Sequence, residues 1–246
     1  MRRLAALLGL LLPLALAGCL LVPGKFTSTL DIDADRSFVF TYVGEVAAID
    51  VAKAMGEEPG EGLPAEDGDE DDGSGAGVDE DAAVQRIAFQ KEAAPAHDHR
   101  ARADTRNRAI AAALAREAGY RKVEYIGDDT FAIDYRIAGT LDRGFVWPYN
   151  LDAEMVLPFV AIETRGDGTV RVKAPGFANE GKATVPGADD AAALLDGTFT
   201  LSTDAEIVAH NNEGGATAAA NGRRQIAWKA TPTTRAAPMA VLRMAR

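Results

Sequence analysis

The sequence predicts an α+β fold: a largely antiparallel, twisted sheet of about eight strands, with two or three helices packed on one face. Three observations predict it. Several stretches alternate between apolar and polar residues, the period of a half-buried strand. Short turns rich in Gly and Asp join neighbouring stretches into antiparallel hairpins. Alanine-rich segments with helical spacing gather between residues 46 and 118, apart from most of the strands. A β-sandwich is the alternative architecture.

The chain opens with Met1-Arg2-Arg3, an apolar run over residues 4–16, and the small residues Ala17 and Gly18 before Cys19. A basic head, an apolar middle and a small-residue exit make a secretory signal. A retained transmembrane helix over residues 4–22 competes with this reading, because a bilayer asks for about 20 apolar residues. Pro13 and the small residues at the end of the run favour cleavage.

The segment Leu16-Ala17-Gly18-Cys19 resembles the lipobox of bacterial lipoprotein precursors. That resemblance implies cleavage after Gly18, a signal peptide over residues 1–18, and a Cys19 carrying palmitate-type acyl chains. Leu20, in the position after the cysteine, resembles the pattern of lipoproteins sorted to the outer membrane, facing the periplasm. Each buried methylene is worth about 0.8 kcal/mol, so two or three chains hold a domain to a membrane. Cys19 is also the only cysteine, which leaves no thiol for a disulfide, a metal site or a nucleophile.

Removing 18 of the 246 residues leaves 228, read as one envelope domain over residues 19–246. The removed leader holds two arginines and no acid, so the net charge of −11 becomes −13. That balance argues against nucleic acid or anionic lipid as a whole-surface partner.

From Phe26 the chain alternates, with Phe26, Ser28, Leu30 and Ile32 on one side and Thr27, Thr29, Asp31 and Asp33 on the other. A turn at residues 33–36 returns it through residues 37–45, with Phe38, Phe40 and Tyr42 on one face. Val46, Ile49, Ala52 and Met55 then suggest a short helix ended by Gly56. Residues 57–82 hold twelve acidic residues and no basic one, a composition that favours a disordered insertion. The acids do not fall at EF-hand spacing from either Asp67 or Asp69.

A second helix is expected over residues 79–93. A third, over about 104–118, has Asp104 as N-cap, Ile110, Ala111, Leu114 and Ala118 on one face, and Gly119 as terminator. Around it lie Arg100, Arg102, Arg106, Arg108, Arg116, Arg121 and Lys122. We read this basic cluster as balancing the acidic insertion, in preference to contact with anionic lipid.

Strands dominate the rest. Val123 and Tyr125 precede a turn at 127–129, and Phe131, Ile133, Tyr135 and Ile137 follow in alternation. A third hairpin joins residues 155–164 to 170–173, with Pro158 marking an edge. Further strands are expected over 198–203, 205–210, 224–230 and 239–244.

The usual catalytic signatures are missing. Ser74 lacks the flanking glycines of a nucleophile elbow, and no Gly-rich phosphate loop or zinc-protease motif occurs. His97-Asp98-His99 has metal-binding residue types but no partner motif, and His210 stands apart, so no metal and no cofactor is expected. Aromatic residues offer more. Phe145, Trp147, Tyr149 and Phe177 fall in stretches read as loops, where aromatics either line a ligand pocket or cap the open end of a sheet.

From Gly24-Lys25-Phe26-Thr27-Ser28-Thr29-Leu30 to Asn221-Gly222-Arg223-Arg224-Gln225-Ile226-Ala227-Trp228, the mature pattern resembles uncharacterised proteobacterial envelope lipoproteins. The cysteine-then-hairpin start and the late Asn-Gly-x-x-x-Ile-x-Trp strand are similar to LppM-type lipoprotein domains. That likeness implies glycolipid binding, without assigning site residues. The second, C-terminal membrane segment of many such proteins is missing, and the acidic insertion is particular to this chain.

The functional expectation is a membrane-anchored envelope lipoprotein with a non-enzymatic domain that binds a lipid ligand or an envelope protein. A periplasmic hydrolase whose carboxylates assemble only in the fold is the alternative.

Overall fold

The computed structural model describes residues 19–50, 96–148, 158–179 and 193–245. Twelve strands and one α-helix lie among them: β1 (Cys19–Ile32), β2 (Ser37–Asp50), α1 (Ala96–Leu114), β3 (Tyr120–Gly127), β4 (Thr130–Thr140), β5 (Phe145–Trp147), β6 (Val160–Thr164), β7 (Thr169–Lys173), β8 (Asp196–Thr203), β9 (Glu206–His210), β10 (Thr217–Ala218), β11 (Arg224–Ala230) and β12 (Met239–Arg243). They form two sheets. The larger has the order β10-β11-β8-β1-β2-β4-β3, and the smaller β5-β6-β7-β12-β9.

This overturns the α+β expectation of one sheet of about eight strands under two or three helices. The chain is mostly β, with sheets of seven and five strands and one α-helix among the described residues. The helix expected over 46–55 is contradicted at its start, because β2 continues to Asp50 opposite Cys19. Ala47 pairs with Val22 on one side and Thr130 on the other, and tertiary pairing overrides a weak helical preference. The helix expected over 104–118 instead spans Ala96–Leu114, so Asp104 is internal and accepts a hydrogen bond from the Tyr125 hydroxyl at 2.7 Å. The helix expected over 79–93 and the insertion at 57–82 lie outside the described residues.

Register explains the core. Across the large sheet Tyr135, Tyr42, Ser28, Phe199 and Trp228 fall in one row, and Ile137, Phe40, Leu30, Leu201 and Ile226 in the next. Because side chains alternate along each strand, both rows point to the same face. That face meets Val160, Ile162, Val170, Val172, Ala240 and Leu242 of the small sheet in one hydrophobic core. α1 lies beside β3 and packs Ala111 and Ile110 against the same core.

Two glycines are required by close approach. β1 is irregular between Pro23 and Phe26, and a Cβ on Gly44 would lie 2.3 Å from the Lys25 carbonyl oxygen. A Cβ on Gly197 would lie 2.3 Å from the Phe26 ring, which occupies that space in the core.

Candidate functional site

The aromatic residues singled out from the sequence are drawn into the inter-sheet core. β5 carries Phe145 and Trp147, and a 3₁₀ turn at Pro175–Phe177 delivers Phe177. Trp147 is 3% exposed and sits 4.7 Å from the Tyr42 ring centroid, 5.0 Å from Tyr135 and 5.4 Å from Phe40. Phe177 is fully buried, 4.3 Å from Phe26 and 5.4 Å from Phe199. Phe145 is half-buried against Phe38 and Phe40. Tyr149 lies outside the described residues. Offset and tilted rings at these spacings hold together by burial and by ring quadrupoles.

This seam has polar members. The Tyr42 hydroxyl donates to the Glu45 carbonyl oxygen at 2.7 Å, and burial pushes its pKa well above the usual phenol range. Tyr120, edge-on to Tyr135, is pushed up to about 12, chiefly by burial and then by Tyr135. The Trp147 indole N–H lowers that value slightly by its nearness, but makes no hydrogen bond of acceptable geometry. Burial keeps these phenols protonated into the alkaline range where an exposed tyrosine has already ionised.

A second region forms around the first residue of β1. Cys19 pairs in register with Asp50, and the Ala48 amide donates to the Asp129 carbonyl oxygen at 2.8 Å. The β3–β4 turn, with φ of 47° at Asp128 and 52° at Asp129, therefore lies toward the same end of the large sheet. α1 is pinned to it by Arg100–Asp128 at 2.6 Å and by Asn107 donating to Asp129 at 2.6 Å.

Much of the basic cluster is used within this neighbourhood. Arg121 pairs with Asp134 and Lys122 with Glu124, and Arg108 lies over the Tyr125 ring at 5.8 Å. Hydrogen bonds and charge from Asp128 raise the Arg100 pKa further. Its acidic partners here belong to the β3–β4 hairpin.

The opposite end is tied by Arg223, which pairs with Asp33, lies 3.7 Å from Asp31, and donates to the Ser202 hydroxyl at 2.9 Å. Asp204 accepts from the Ala34 amide at 2.7 Å, so the β1–β2 turn is fastened to the end of β8.

Sequence reasoning missed the outer face of the large sheet. Thr27 and Thr29 of β1 stand in register with Thr198 and Thr200 of β8, and Thr41 of β2 is hydrogen-bonded to Thr29 at 2.6 Å. Ion pairs such as Lys229–Asp196 and Arg121–Asp134 neutralise charges at its margins. The two Thr-x-Thr motifs were visible in the sequence, but their adjacency depends on a parallel pairing of β1 with β8.

Among the described residues, no group of three His, Cys, Asp or Glu is placed to hold a metal ion. The carboxylates with shifted pKa values, Asp35, Glu124 and Asp167, are all lowered, by Ser37, Lys122 and Thr169 respectively. A general acid needs the opposite shift. The side chains of His97 and His99 lie outside the described set, whereas His210 Nδ1 accepts from the Asn212 amide at 3.2 Å.

No protein-family model matches the chain, and no curated protein does. Among solved structures, the folded domain of Mycobacterium tuberculosis LppM, determined by NMR, aligns over 92% of each chain at 13% identity with a TM-score of 0.30. A likeness of that size assigns neither fold nor activity to this chain.

Proposed function

We propose that the chain is an envelope lipoprotein, acylated at Cys19 and held on the periplasm-facing side of the outer membrane, whose domain is a non-enzymatic binding module. The observation that carries the anchor is the segment Leu16-Ala17-Gly18-Cys19, which follows a basic head and an apolar run in the order of a lipoprotein leader.

The binding contact is placed on the outer face of the large sheet, with an envelope protein as partner. An acyl chain at Phe145, Trp147 and Phe177 would have to enter between packed rings. The hydroxyl-bearing face, with Thr27 exposed and Thr29, Thr41, Thr198 and Thr200 half-buried, requires no such opening.

Intact-mass measurement of the chain extracted from membranes tests the anchor. The expected mature species begins at Cys19 and carries diacylglyceryl and acyl additions, and Cys19→Ser leaves the precursor unprocessed. A mature chain with an unmodified Cys19 would overturn the reading.

A further inference from the structure

The structure has no spacer between the attachment point and the folded sheet, and this constrains how the domain meets a membrane. Cys19 is itself paired with Asp50, so any acyl chain on it enters the bilayer beside a hydrogen-bonded strand end. The apolar run of residues 4–16 ends three residues before Cys19, which puts the same point at the membrane if the leader is retained.

We propose that the bilayer lies against the Cys19 end of the large sheet, with Ile126 and Leu194 at the lipid surface and the β1–β2 turn directed away from it. The proposal rests on the membrane-anchor reading above and adds an orientation to it.

Topology assigns residues to the two ends. β2 and β4 place the 128–129 turn near Ala48, two residues from Asp50, and α1 brings Arg100 to that turn. Ile126 is 50% exposed just before the turn, on edge strand β3. On the other flank, β8 runs parallel to β1 with Asp196 opposite Lys25, so Leu194 lies further toward the Cys19 end, and it is 47% exposed. Two large exposed apolar side chains thus stand on opposite sides of β1, level with Val22 and Pro23, and the paired ends of β1 and β2 at Cys19 and Asp50 project beyond them. At that end Arg100 and Asp128 pair with each other at 2.6 Å.

At about 3.3 Å per residue, the 14 residues of β1 carry its far end roughly 40 Å from Cys19. Arg223 with Asp33, and Asp204 with Ala34, make that end rigid. The 165–168 turn joins it, since Gly168 accepts from the Met244 amide and Ala34 from the Ala245 amide. The strands therefore stand on the membrane, and the Thr-bearing outer face extends away from the bilayer.

Single-cysteine labelling tests this on the full acylated chain, because acylation consumes Cys19 and leaves an introduced thiol unique. An environment-sensitive dye is placed at Ile126→Cys, Leu194→Cys or Gly166→Cys. Gly166 lies in the far turn, with nothing within 4 Å of an added Cβ. The proteins are reconstituted in phosphatidylethanolamine and phosphatidylglycerol vesicles containing a lipid-borne quencher, with flotation recorded in parallel.

Quenching at residues 126 and 194 several-fold above that at 166 is expected. Floating protein with equal quenching at all three sites, or none at 126 and 194, overturns the orientation alone. Protein that does not float overturns the anchor and the orientation together.

Discussion

The two faces of the large sheet share the same strands and differ only in alternate residues. On the inner face Leu30, Phe40, Tyr42, Phe199 and Leu201 are fully buried, and the small sheet and α1 complete the core. On the outer face, Thr27, Thr29, Thr41, Thr198 and Thr200 make a grid of small hydroxyl side chains. One face has an intramolecular occupant and supplies stability. The other contributes little to the core, so the same alternation separates the two faces by role in folding.

The comparison is broken most directly from inside. Phe40 is fully buried and meets Tyr135, Phe145 and Trp147, so Phe40→Ala is expected to cost about 3–5 kcal/mol, through lost transfer energy and an unfilled cavity. Urea unfolding reads this as a lower midpoint at unchanged slope. A loss under about 1 kcal/mol would show that the rings do not form one packed layer.

Alkali probes the same face at intermediate cost. Tyr120 has a folded pKa of about 12 against an ordinary value of 10.0, raised first by burial and then by Tyr135. Between those values the unfolded chain has released the proton and the folded chain retains it. The contribution of Tyr120 is therefore fully present below pH 10 and declines as pH rises toward 12, by about 1.4 kcal/mol per unit and about 2–3 kcal/mol in all, with the other raised phenols adding to it. Tyr120→Phe should flatten the decline, and an unchanged slope in that variant would remove Tyr120 as its cause.

The smallest effect is expected outside. Thr29→Val keeps the shape and β-branching of the side chain and removes its hydroxyl contact with Thr41, so stability should change by no more than about 0.5 kcal/mol. A shift beyond 2 kcal/mol in thermal or urea unfolding would mean that the outer face also carries the fold.

Several elements were legible in the sequence for clear reasons. Residues 224–230 were read as a strand and form β11 with the same bounds, because Ile226, Trp228 and Ala230 alternate with Gln225, Ala227 and Lys229. The hairpins 26–45 and 123–137 were recognised by alternation around short turns, although β1 and β2 both run further than read. β5 was missed because three residues are too few to show a period, and Phe145-Val146-Trp147 was read as an aromatic loop. β10, of two residues, is likewise too short to show a period.

The candidate aromatic site followed a different course. Phe145, Trp147 and Phe177 were noticed because aromatics near Pro and Gly stand out in a sequence. Their composition carried no information about whether another sheet would close over them. The structure buries Trp147 and Phe177 in the seam and leaves Phe145 half-buried.

By itself the sequence determined which side chains turn inward along each strand, where the short turns fall, and the lipobox-like context of Cys19. Period-two alternation is local, and a few residues suffice to express it. Only the tertiary structure decided that β8 leaves its chain neighbour β9 to lie parallel with β1, that the strands divide into sheets of seven and five, and that α1 docks at the Cys19 end. Strand alternation specifies a buried side but not the strand next to it. Partner choice is settled by packing between residues far apart in the chain, as with Phe26 against Gly197 and Tyr42 against Trp147.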